Sequence, residues 1–561
     1  MKWQDTTIEI STIDAKLKLA IAYQLSGKPT EAIQLYLDIL AQEPEHTVAL
    51  HLLGVIEYQR DNMDQAVELI RKAVALDSNY TDAYYNLAII LKHQNKLEEA
   101  ADIYRKVLKL NPDHEQAYNN LGTTLASQGK LKESIDTYQK LLKINPNYVN
   151  AHSNFLGFMN YDPQTTQQEI FDESRCWNDI HAVPLAVNER QHLNDRDPER
   201  RLRIGYVSPD FYNHSVSYFF DSLITEHDRQ LFEVFCYAEV MKPDNITKRF
   251  HDLADGWYWT VGIKDSEVAE RIREDGIDIL VDLAGHTYNN RLLVFAERPA
   301  PLQVTWLGYP NTTGLSAIDY RLTDKIADPK GIDDTLHSEI LVRLPNGFLC
   351  FAQLNDTPEI GEIPALLNNY ITFGSFNDLV KITPEVVETW ANILHKTPKS
   401  KLIIKNRSLA DEKTRERYLD MFNEFNIDSN RIQLYSWVES KSGHFELYNK
   451  IDIGLDTFPF TGVTTTCESL WMGVPVIALR GDRHISRVSS SILTQVDLVD
   501  LIAESIEEYI EKAVVLANDL DQISALRGAL RNQMKTSPLC DAKGFTKNVE
   551  AAYRKMWHQI T

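Results

Sequence analysis

The sequence has few cysteines, no long apolar run and a shortage of basic residues. Its five cysteines are scattered, with no Cys-x-x-Cys pair, which favours neither a zinc site nor a disulfide framework and is typical of a reducing compartment. No run of about 18 apolar residues predicts a membrane span, and residues 1–10 lack the apolar segment of a signal peptide. These absences predict a cytoplasmic protein that acts without a membrane.

The charge balance is acidic. Lysine and arginine number 58 against 80 aspartates and glutamates, a net charge of −22. A general nucleic-acid binder needs a basic surface, so this balance argues against nucleic acid as a partner. At 561 residues, with 43% hydrophobic and 25% charged residues, the chain is expected to form two to four soluble globular domains.

No convincing metal site is visible either. Two segments match an Asp-x-Asp pattern, Asp195–Asp197 and Asp519–Asp521. The first lies in a charged linker and the second in a predicted C-terminal helix, and neither place suits a metal site. The sequence therefore predicts chemistry with no metal and no cofactor.

The first 150 residues repeat with a period of 34. Three phases recur, at Pro44, Ser78, Pro112 and Pro146, at Gly54, Ala88 and Gly122, and at Ala32, Ala66, Ala100 and Ser134. Small residues let paired helices approach, and proline ends a helix. The pattern resembles the tetratricopeptide repeat, with four units and a degenerate fifth helix pair after them. The four units are 13–46, 47–80, 81–114 and 115–148.

Stacked helix pairs of this kind form a concave groove that binds peptides or partner proteins. Asn86, Asn120 and Asn154 also recur every 34 residues, two positions before the small residue. Because an amide both donates and accepts, such a ladder is suited to hold an extended peptide backbone. The alternative is that these are ordinary solvated polar positions.

After a polar, helical linker the pattern changes to short apolar strands that alternate with helices. This alternation predicts two parallel α/β domains, joined near 352–368, with a ligand cleft between them. The predicted strands are 203–208, 232–237, 277–283, 304–307, 371–375, 401–405, 432–435, 451–455 and 474–479.

The segment 456–476 combines a Pro/Gly turn with three threonines and a helix start. It follows one apolar strand and precedes another. Free backbone N–H groups and the helix dipole favour an anion there, so Thr464, Thr465 and Thr466 are a candidate diphosphate cradle. The alternative is an ordinary threonine N-cap of an α/β helix.

Other polar groups follow predicted strands. His214 is a candidate general base or a structural histidine, and Lys381 is suited to neutralise a leaving diphosphate unless it is an ordinary surface lysine. Lys441 and His444 have a spacing that could flank a nucleobase. Gly308, Tyr309 and Pro310 lie in a turn-rich loop after a strand. Such a loop allows the backbone to approach a ligand closely, so these residues are candidates too.

Taken together and in this order, the motifs resemble the O-GlcNAc transferase and SPINDLY family over nearly the whole chain. They are Gly205–Asp210, His214, Arg298–Pro301, Trp306–Pro310, Phe376–Asn377, Lys381 and Asp456–Thr457 with Thr464–Thr466. The resemblance implies a GT-B region of two Rossmann-like lobes behind a helical repeat solenoid. It also implies metal-independent, inverting transfer of a sugar from a nucleotide donor to protein Ser/Thr hydroxyls.

The resemblance also implies residue roles. Lys381 matches the lysine at the donor phosphates, and His214 the histidine discussed as catalytic in a family whose base is disputed. Asn377 and the three threonines, together with Gly308, Tyr309 and Pro310, are expected in the donor site. Lys441 and His444 match the pair beside the nucleobase, and Glu468 stands where a carboxylate contacts the ribose.

The identity of the donor stays open. Val463 replaces the histidine of animal O-GlcNAc transferases, Asp378 and Val380 replace Gln and Tyr near the lysine, and the long insertion between the lobes is absent. Several segments are closest to plant SPINDLY, which implies GDP-fucose, whereas Lys441 with His444 looks like a UDP-binding pair. The base-contacting pair favours UDP-GlcNAc.

The predicted function is a protein O-glycosyltransferase whose repeat groove holds acceptor polypeptides. Alternatives are an O-fucosyltransferase, a non-enzymatic scaffold, an N-glycosyltransferase and a small-molecule glycosyltransferase. Targets and oligomeric state stay undetermined. The expected domains are the repeats at 1–160, a helical linker at 161–200, lobes at 201–355 and 366–540, and a terminal helix at 541–561.

Overall fold

The computed structural model of the chain describes residues 12–188, 190–354, 357–438 and 440–560, apart from the side chains of Asn188 and Lys441. Contacts divide the chain into two compact units. One is Met1–Ile144 with Ala410–Thr414, and the other is Asn145–Leu409 with Arg415–Thr561. The division falls after Ile144, whereas the sequence places the end of the repeats at 160; residues 1–10, expected to lack a signal peptide, lie outside the described residues.

The first unit consists of helix pairs that follow the 34-residue period. The repeat position of Gly54 requires a small residue. A Cβ at Gly54 would lie 2.6 Å from Cγ1 of Ile70 on the paired helix. Ala32, Ala66 and Ala100 are fully buried at a second phase. The predicted helical repeat solenoid is thus confirmed. Its helices are Ile13–Leu25 (α1), Pro29–Gln42 (α2), Thr47–Gln59 (α3), Met63–Leu76 (α4), Thr81–His93 (α5), Leu97–Leu110 (α6), Glu115–Ser127 (α7) and Leu131–Ile144 (α8).

The second unit begins with two more helices, Val149–Met159 (α9) and Gln167–Trp177 (α10). Thr166 begins α10 with a capping box, since its hydroxyl accepts from the Glu169 N–H and the Glu169 carboxylate accepts from the Thr166 N–H. Two short turns of π- and 3₁₀-helix, Asn178–Ala182 and Val183–Asn188, follow α10.

The first lobe is built on a parallel sheet of seven strands in the order β3-β2-β1-β4-β5-β6-β7. Strand order reverses between β1 and β4, which is where ligands bind in open α/β sheets. The strands are Leu202–Ser208 (β1), Phe232–Ala238 (β2), Gly256–Trp259 (β3), Ile279–Asp282 (β4), Leu302–Thr305 (β5), Tyr320–Asp324 (β6) and Ile340–Leu344 (β7). The helices between them are Ser217–Glu226 (α11), Asn245–Leu253 (α12), Asp265–Glu274 (α13) and Leu292–Ala296 (α14).

The second lobe repeats this plan with six parallel strands in the order β10-β9-β8-β11-β12-β13. Its reversal lies between β8 and β11. The strands are Thr372–Ser375 (β8), Lys401–Lys405 (β9), Ile432–Tyr435 (β10), Ile453–Leu455 (β11), Val476–Leu479 (β12) and Ile502–Ala503 (β13). The helices are Pro364–Asn368 (α15), Pro384–Lys396 (α16), Glu412–Glu424 (α17), Lys441–Glu446 (α18), Thr464–Trp471 (α19), Val488–Gln495 (α20), Ile506–Ala517 (α21) and Leu520–Thr536 (α22).

Every strand predicted from the sequence is present, and both predicted α/β lobes are confirmed. Four further strands, β3, β6, β7 and β13, were not predicted, although β7, Ile-Leu-Val-Arg-Leu, is itself an apolar run. Strand β3 is Gly-Trp-Tyr-Trp at a sheet edge, and β6 holds Arg321 and Asp324, whose buried charges hide an interior strand.

The last helix, Ala542–Ile560 (α23), returns to the first lobe. The Glu550 carboxylate accepts from His227 Nδ1 at 2.9 Å and from the Asp228 N–H at 2.8 Å. A second tie joins the lobes at His484, whose Nδ1 lies 2.7 Å from the Asp328 carboxylate. None of the described helices combines the length and apolar character of a membrane-spanning segment.

Candidate functional site

Two polar loops meet at the strand-order reversal of the second sheet. Asn377 and Lys381 follow β8, and Asp456–Thr466 follows β11, which pairs with β8 in parallel register. Because the carboxyl ends of neighbouring parallel strands meet at one edge, side chains from both loops converge there. The sequence candidates around the three threonines are therefore brought together by topology.

The threonines occupy the first turn of α19 and do not cap it. The N-cap position is Val463, which has no capping side chain, and Thr464 is the first helical residue. Thr465 Oγ1 donates to the Asn377 side-chain oxygen at 3.1 Å, and Thr466 Oγ lies 3.1 Å from Ser489 Oγ. Within the described residues, no hydrogen bond uses the backbone N–H of these three threonines. The first turn thus presents unpaired donors, which favours an anion site over an ordinary cap.

Gly462 keeps this helix start open. A Cβ at this position would lie 2.5 Å from Thr466 Oγ1 and 2.8 Å from Thr465 Oγ1. Both distances are too short for any side chain, so the backbone approaches the threonine hydroxyls as only glycine permits. The Gly462 N–H donates to Asp456 Oδ1 at 2.7 Å, which fixes the turn before the helix.

The Asp456 side chain links the loop after β8 to the loop after β11. Its Oδ1 accepts from the Gly462 N–H, from the Thr457 N–H at 2.9 Å and from Asn377 Nδ2 at 3.3 Å. The carboxyl is buried, and burial raises its pKa. These hydrogen bonds link the loops after β8 and β11, so this carboxylate serves as a positioning group.

Lys381 brings a cation to the same edge. Its Nζ donates to the Thr461 carbonyl at 2.9 Å and lies 4.0 Å from the centre of the Phe460 ring. Burial lowers the pKa of this ammonium, while Asp378 and Asp456 raise it. A half-buried ammonium beside free backbone donors is the arrangement that stabilises a diphosphate.

A second cluster lies one turn further along α19. Glu468 is buried; its Oε2 lies 3.1 Å from His444 Nε2 and accepts from the Tyr448 hydroxyl at 3.2 Å. On the other side of the ring, His444 Nδ1 lies 3.1 Å from Lys405 Nζ. His444, predicted beside the nucleobase, and Glu468, predicted at the ribose, are therefore in direct contact. Lys441 begins α18, and its side chain lies outside the described residues.

His214 lies in the loop after β1 of the first lobe. Its Nδ1 lies 3.5 Å from Asp210 Oδ1, and its ring lies against Tyr212 with centroids 5.5 Å apart. Burial lowers the pKa of His214 and raises the pKa of Asp210 to about 7. Both shifts favour neutral forms, so the imidazole is free to accept a proton at neutral pH. The His214 Nδ1 also accepts from the Val216 N–H at 3.3 Å, and the His214 carbonyl accepts from the Ser217 hydroxyl at the start of α11.

The loop after β5 is packed against helix α9. The Tyr309 hydroxyl accepts from Asn160 Nδ2 at 2.9 Å, and only 4% of the residue is exposed. Gly308 lies against the Leu283 carbonyl, and the Gly308 N–H donates to the Trp306 carbonyl at 3.0 Å. Pro310 follows in the same loop and is partly exposed. Tyr309 thus has a packing role whether or not this loop also meets a ligand.

The three repeated asparagines lie on corresponding helices α5, α7 and α9. Asn86 Nδ2 lies 2.8 Å from His51 Nε2, and Asn120 Nδ2 donates to the Tyr85 hydroxyl at 3.0 Å. Each of these two amides therefore contacts the preceding repeat. Asn154 belongs to the second unit.

Two members of the site, Lys405 and Tyr448, were not predicted from the sequence, because they come from segments with no motif of their own. Asp456 was named only as part of a motif and was given no role. Lys405 is the last residue of β9, so its position at the carboxyl edge was the available signal. The assembled groups are mainly amides, hydroxyls and ammonium ions, a set that suits a polyanionic ligand with a flat polar ring beside it.

Comparison with known proteins finds a matching family profile for both parts of the chain. The profile of glycosyl transferase family 41 matches residues 173–356 and 362–549. The profile of the cytochrome c-type biogenesis protein H TPR domain matches residues 1–149.

Similar proteins include two from plants named as probable UDP-N-acetylglucosamine–peptide N-acetylglucosaminyltransferase SPINDLY. The protein of Solanum lycopersicum is 44% identical over 410 residues, which are 72% of this chain and 44% of that protein. The Arabidopsis thaliana protein is 43% identical, with the same shares. The chain thus matches less than half the length of these relatives.

One solved structure is similar to this chain over nearly its whole length. A mutant of the Thermobaculum terrenum O-GlcNAc transferase is 35% identical and matches 99% of both chains with a TM-score of 0.78. Since the family profile spans both lobes, and with them every second-lobe site residue described above, the chain belongs to glycosyl transferase family 41.

Proposed function

We propose that this chain transfers a sugar from a nucleotide donor to Ser/Thr hydroxyls of polypeptides, with inversion and without a metal. The observation that carries the proposal is the open first turn of α19 beside Lys381 and Asn377. Three free N–H groups and one ammonium supply the charge that a nucleotide diphosphate needs. The names of the SPINDLY relatives support peptide as the acceptor.

In the proposed reaction the acceptor oxygen forms a bond to the anomeric carbon of the sugar. The bond from that carbon to the β-phosphate oxygen breaks, and the diphosphate leaves with the electron pair. Lys381 and the first turn of α19 stabilise the charge that grows on the departing group, which is greater in the transition state than in the bound donor. In this proposal the step needs no metal ion, because Lys381 and the first turn of α19 supply the positive charge.

The hydroxyl proton needs an acceptor, and His214 is the proposed group. Burial lowers the pKa of His214, so its imidazole is neutral at pH 7 and holds a lone pair. The second unit contains His214 and the α19 cluster in its two lobes. The repeats of the first unit are proposed to bind the acceptor polypeptide, with Asn86 and Asn120 among the contacts.

UDP-GlcNAc is the donor we favour. Both ring nitrogens of His444 are occupied, by Lys405 and Glu468, so the imidazole offers its face to a nucleobase and not its edge. A small pyrimidine suits that face, because Lys405 and Glu468 hold the ring in one orientation. GDP-fucose, implied by the likeness to SPINDLY, is the alternative.

The decisive experiment offers UDP-GlcNAc and GDP-fucose separately to the purified chain with a cell lysate. Mass spectrometry then reads the mass added to Ser and Thr residues. We expect N-acetylhexosamine with the first donor and none with the second. Fucose alone would overturn the donor assignment, and no product from either would overturn the transferase assignment.

Lys381→Ala tests the mechanism in the same assay. We expect a loss of about 10²–10³ in kcat, as for removal of one charge-stabilising donor, with an unchanged unfolding transition. Lys396→Ala, at an exposed position on the end of α16, is the matched control and should retain full activity. An unchanged rate in Lys381→Ala would contradict the role given to the ammonium.

The main alternative is a scaffold with an inactive α/β body. Such a protein has no reason to keep a nucleotide site, so UDP and GDP should leave its melting temperature unchanged. A transferase binds nucleotide only when folded, and its melting temperature rises with the ligand concentration.

A further inference from the structure

The helix pair α9 and α10 brings together three side chains of types that bind transition metals. His152 lies on α9, and Glu173 and Cys176 lie on α10. One ligand atom from each, an imidazole nitrogen, a carboxylate oxygen and the Cys176 sulfur, all lie within 4.8 Å of one another. Glu173 and Cys176 are three positions apart, so both project from one face of α10 towards His152.

The distances are near those of a coordination sphere. Zinc binds sulfur at about 2.3 Å and nitrogen or oxygen at about 2.0–2.2 Å, which places tetrahedral ligand atoms roughly 3.3–3.8 Å apart. His152 Nε2 and Glu173 Oε1 already lie 2.8 Å apart. Cys176 is exposed, and a movement of its sulfur by about 1 Å would complete this geometry.

The surroundings of His152 match those of a metal-binding histidine. Its second ring nitrogen, Nδ1, lies 3.0 Å from His181 Nε2, and the ring is buried. A metal-bound imidazole is usually fixed in this way by a hydrogen bond from its other nitrogen. When that nitrogen donates to His181, Nε2 carries a lone pair and lies 2.8 Å from Glu173 Oε1. Two acceptors then face each other, and a cation between them resolves the repulsion.

The donor set selects the kind of cation. Calcium and magnesium require several oxygen ligands, and this cluster offers one carboxylate. Imidazole with thiolate suits zinc and chemically similar divalent ions. The burial falls from His152 to Glu173 to the exposed Cys176, which leaves a fourth position open to water and gives the ion an entry path.

We propose that His152, Glu173 and Cys176 bind one zinc-like divalent cation, with water as the fourth ligand. Cys176 binds as the thiolate and releases its proton to solvent. The ion ties α9 to α10 and takes no part in sugar transfer. Ser153, next to His152, lies 3.2 Å from His286 Nδ1 in the loop after β4, so the ion also steadies the contact of α9 with the first lobe.

His152 and Glu173 can form a hydrogen bond without a metal. Binding of the metal by the Cys176 thiolate therefore distinguishes a metal site from that hydrogen bond. The full chain, stripped with a chelator, is titrated with Co²⁺ alone. We expect one Co²⁺ per chain, with a thiolate-to-cobalt charge-transfer absorption that added Zn²⁺ removes. Zn²⁺ alone should raise the melting temperature of the stripped chain.

Three variants decide the ligand set. Cys176→Ser should abolish the charge-transfer absorption, and Glu173→Gln should weaken Co²⁺ binding. His181→Ala, which removes the support of His152, should weaken it by about 10–100-fold. Cys540→Ser makes the same change at a cysteine outside the cluster and should leave the spectrum intact. No Co²⁺ spectrum, or an identical one in Cys176→Ser, overturns the proposal.

Discussion

At the scale of single residues, the hydrogen-bonded series Lys405, His444 and Glu468 determines which groups the proposed nucleobase site presents. An ammonium has only donors, so Lys405 donates to His444 Nδ1, and the ring proton is placed on Nε2, facing Glu468. Three residues from three segments of the second lobe therefore fix one tautomer. Lys405 acts through His444 and is a positioning residue of the proposed site.

Lys405→Met should raise the KM for the donor nucleotide by about 10–100-fold, the value of a charged hydrogen bond, and change kcat less. Lys401→Met at the opposite end of the same strand is the control, since it lies at the amino edge. Initial rates over a range of donor concentrations separate KM from kcat. A fall in kcat alone would mean that Lys405 acts on the reaction and not on binding.

Asp210 predicts a pH dependence of stability. Burial raises its pKa from 3.8 to about 7, so between these values the folded chain holds a proton that the unfolded chain has released. The contribution of this carboxyl to the free energy of unfolding is therefore greatest at low pH and is lost as pH rises towards about 7.

Asp210→Asn keeps a neutral group at every pH, so its stability should fall less between about pH 4 and pH 7 than that of the unaltered chain, by at most about 4 kcal/mol. Denaturant unfolding across this range measures the difference. Asp482→Asn, at an exposed position, should reproduce the unaltered slope. Parallel curves for Asp210→Asn and the unaltered chain would contradict the prediction.

At the scale of elements, the sequence predicted periodic and apolar segments well. The 34-residue period located the repeat helices, because small residues such as Gly54 must recur where helices cross. Strands β6 and β13 were missed, since buried charge in one and two-residue length in the other remove the periodic signal. Thr464–Thr466 were predicted as an anion site, but only the structure shows that Val463 takes the cap position and leaves their N–H groups free.

Gly462→Ala tests the first turn of α19. The added Cβ would meet Thr466 Oγ1 at 2.5 Å and push the hydroxyls from their positions, so UDP should bind more weakly, by tenfold or more, about 1.4 kcal/mol. Gly528→Ala in α22 has no heavy atom within 4 Å of the new Cβ. This control should bind UDP normally and gain roughly 0.5–1 kcal/mol in stability. Calorimetric titration with UDP checks both; equal affinities would refute the role of Gly462.

At the scale of the whole molecule, the two α/β lobes are distinct sheets but not separable pieces of chain. Helix α23 follows the second lobe in sequence and packs on the first, through Glu550. Sequence alone predicted a terminal helix at 541–561 and gave no sign of where it packs, because an amphipathic pattern identifies a buried face and not its partner.

Glu550→Ala should lower the stability of the first lobe by about 1–3 kcal/mol, because the His227 ring and the Asp228 N–H lose their acceptor. Hydrogen exchange of the amides in β1 and β2 should speed up accordingly. Lys547→Ala, on an exposed position of the same helix, should leave exchange unchanged. Faster exchange confined to the second lobe would refute the assignment of α23 to the first.

The packing of α23 on the first lobe also delays completion of that lobe during synthesis of the chain. His227 and Glu550 are 323 residues apart, so at about 5–20 residues per second the ribosome needs roughly 15–65 s to make the second after the first. During that interval the first lobe has emerged without its last helix, and the apolar surface that α23 covers is bare. The nascent chain therefore has a long window in which chaperones are expected to act.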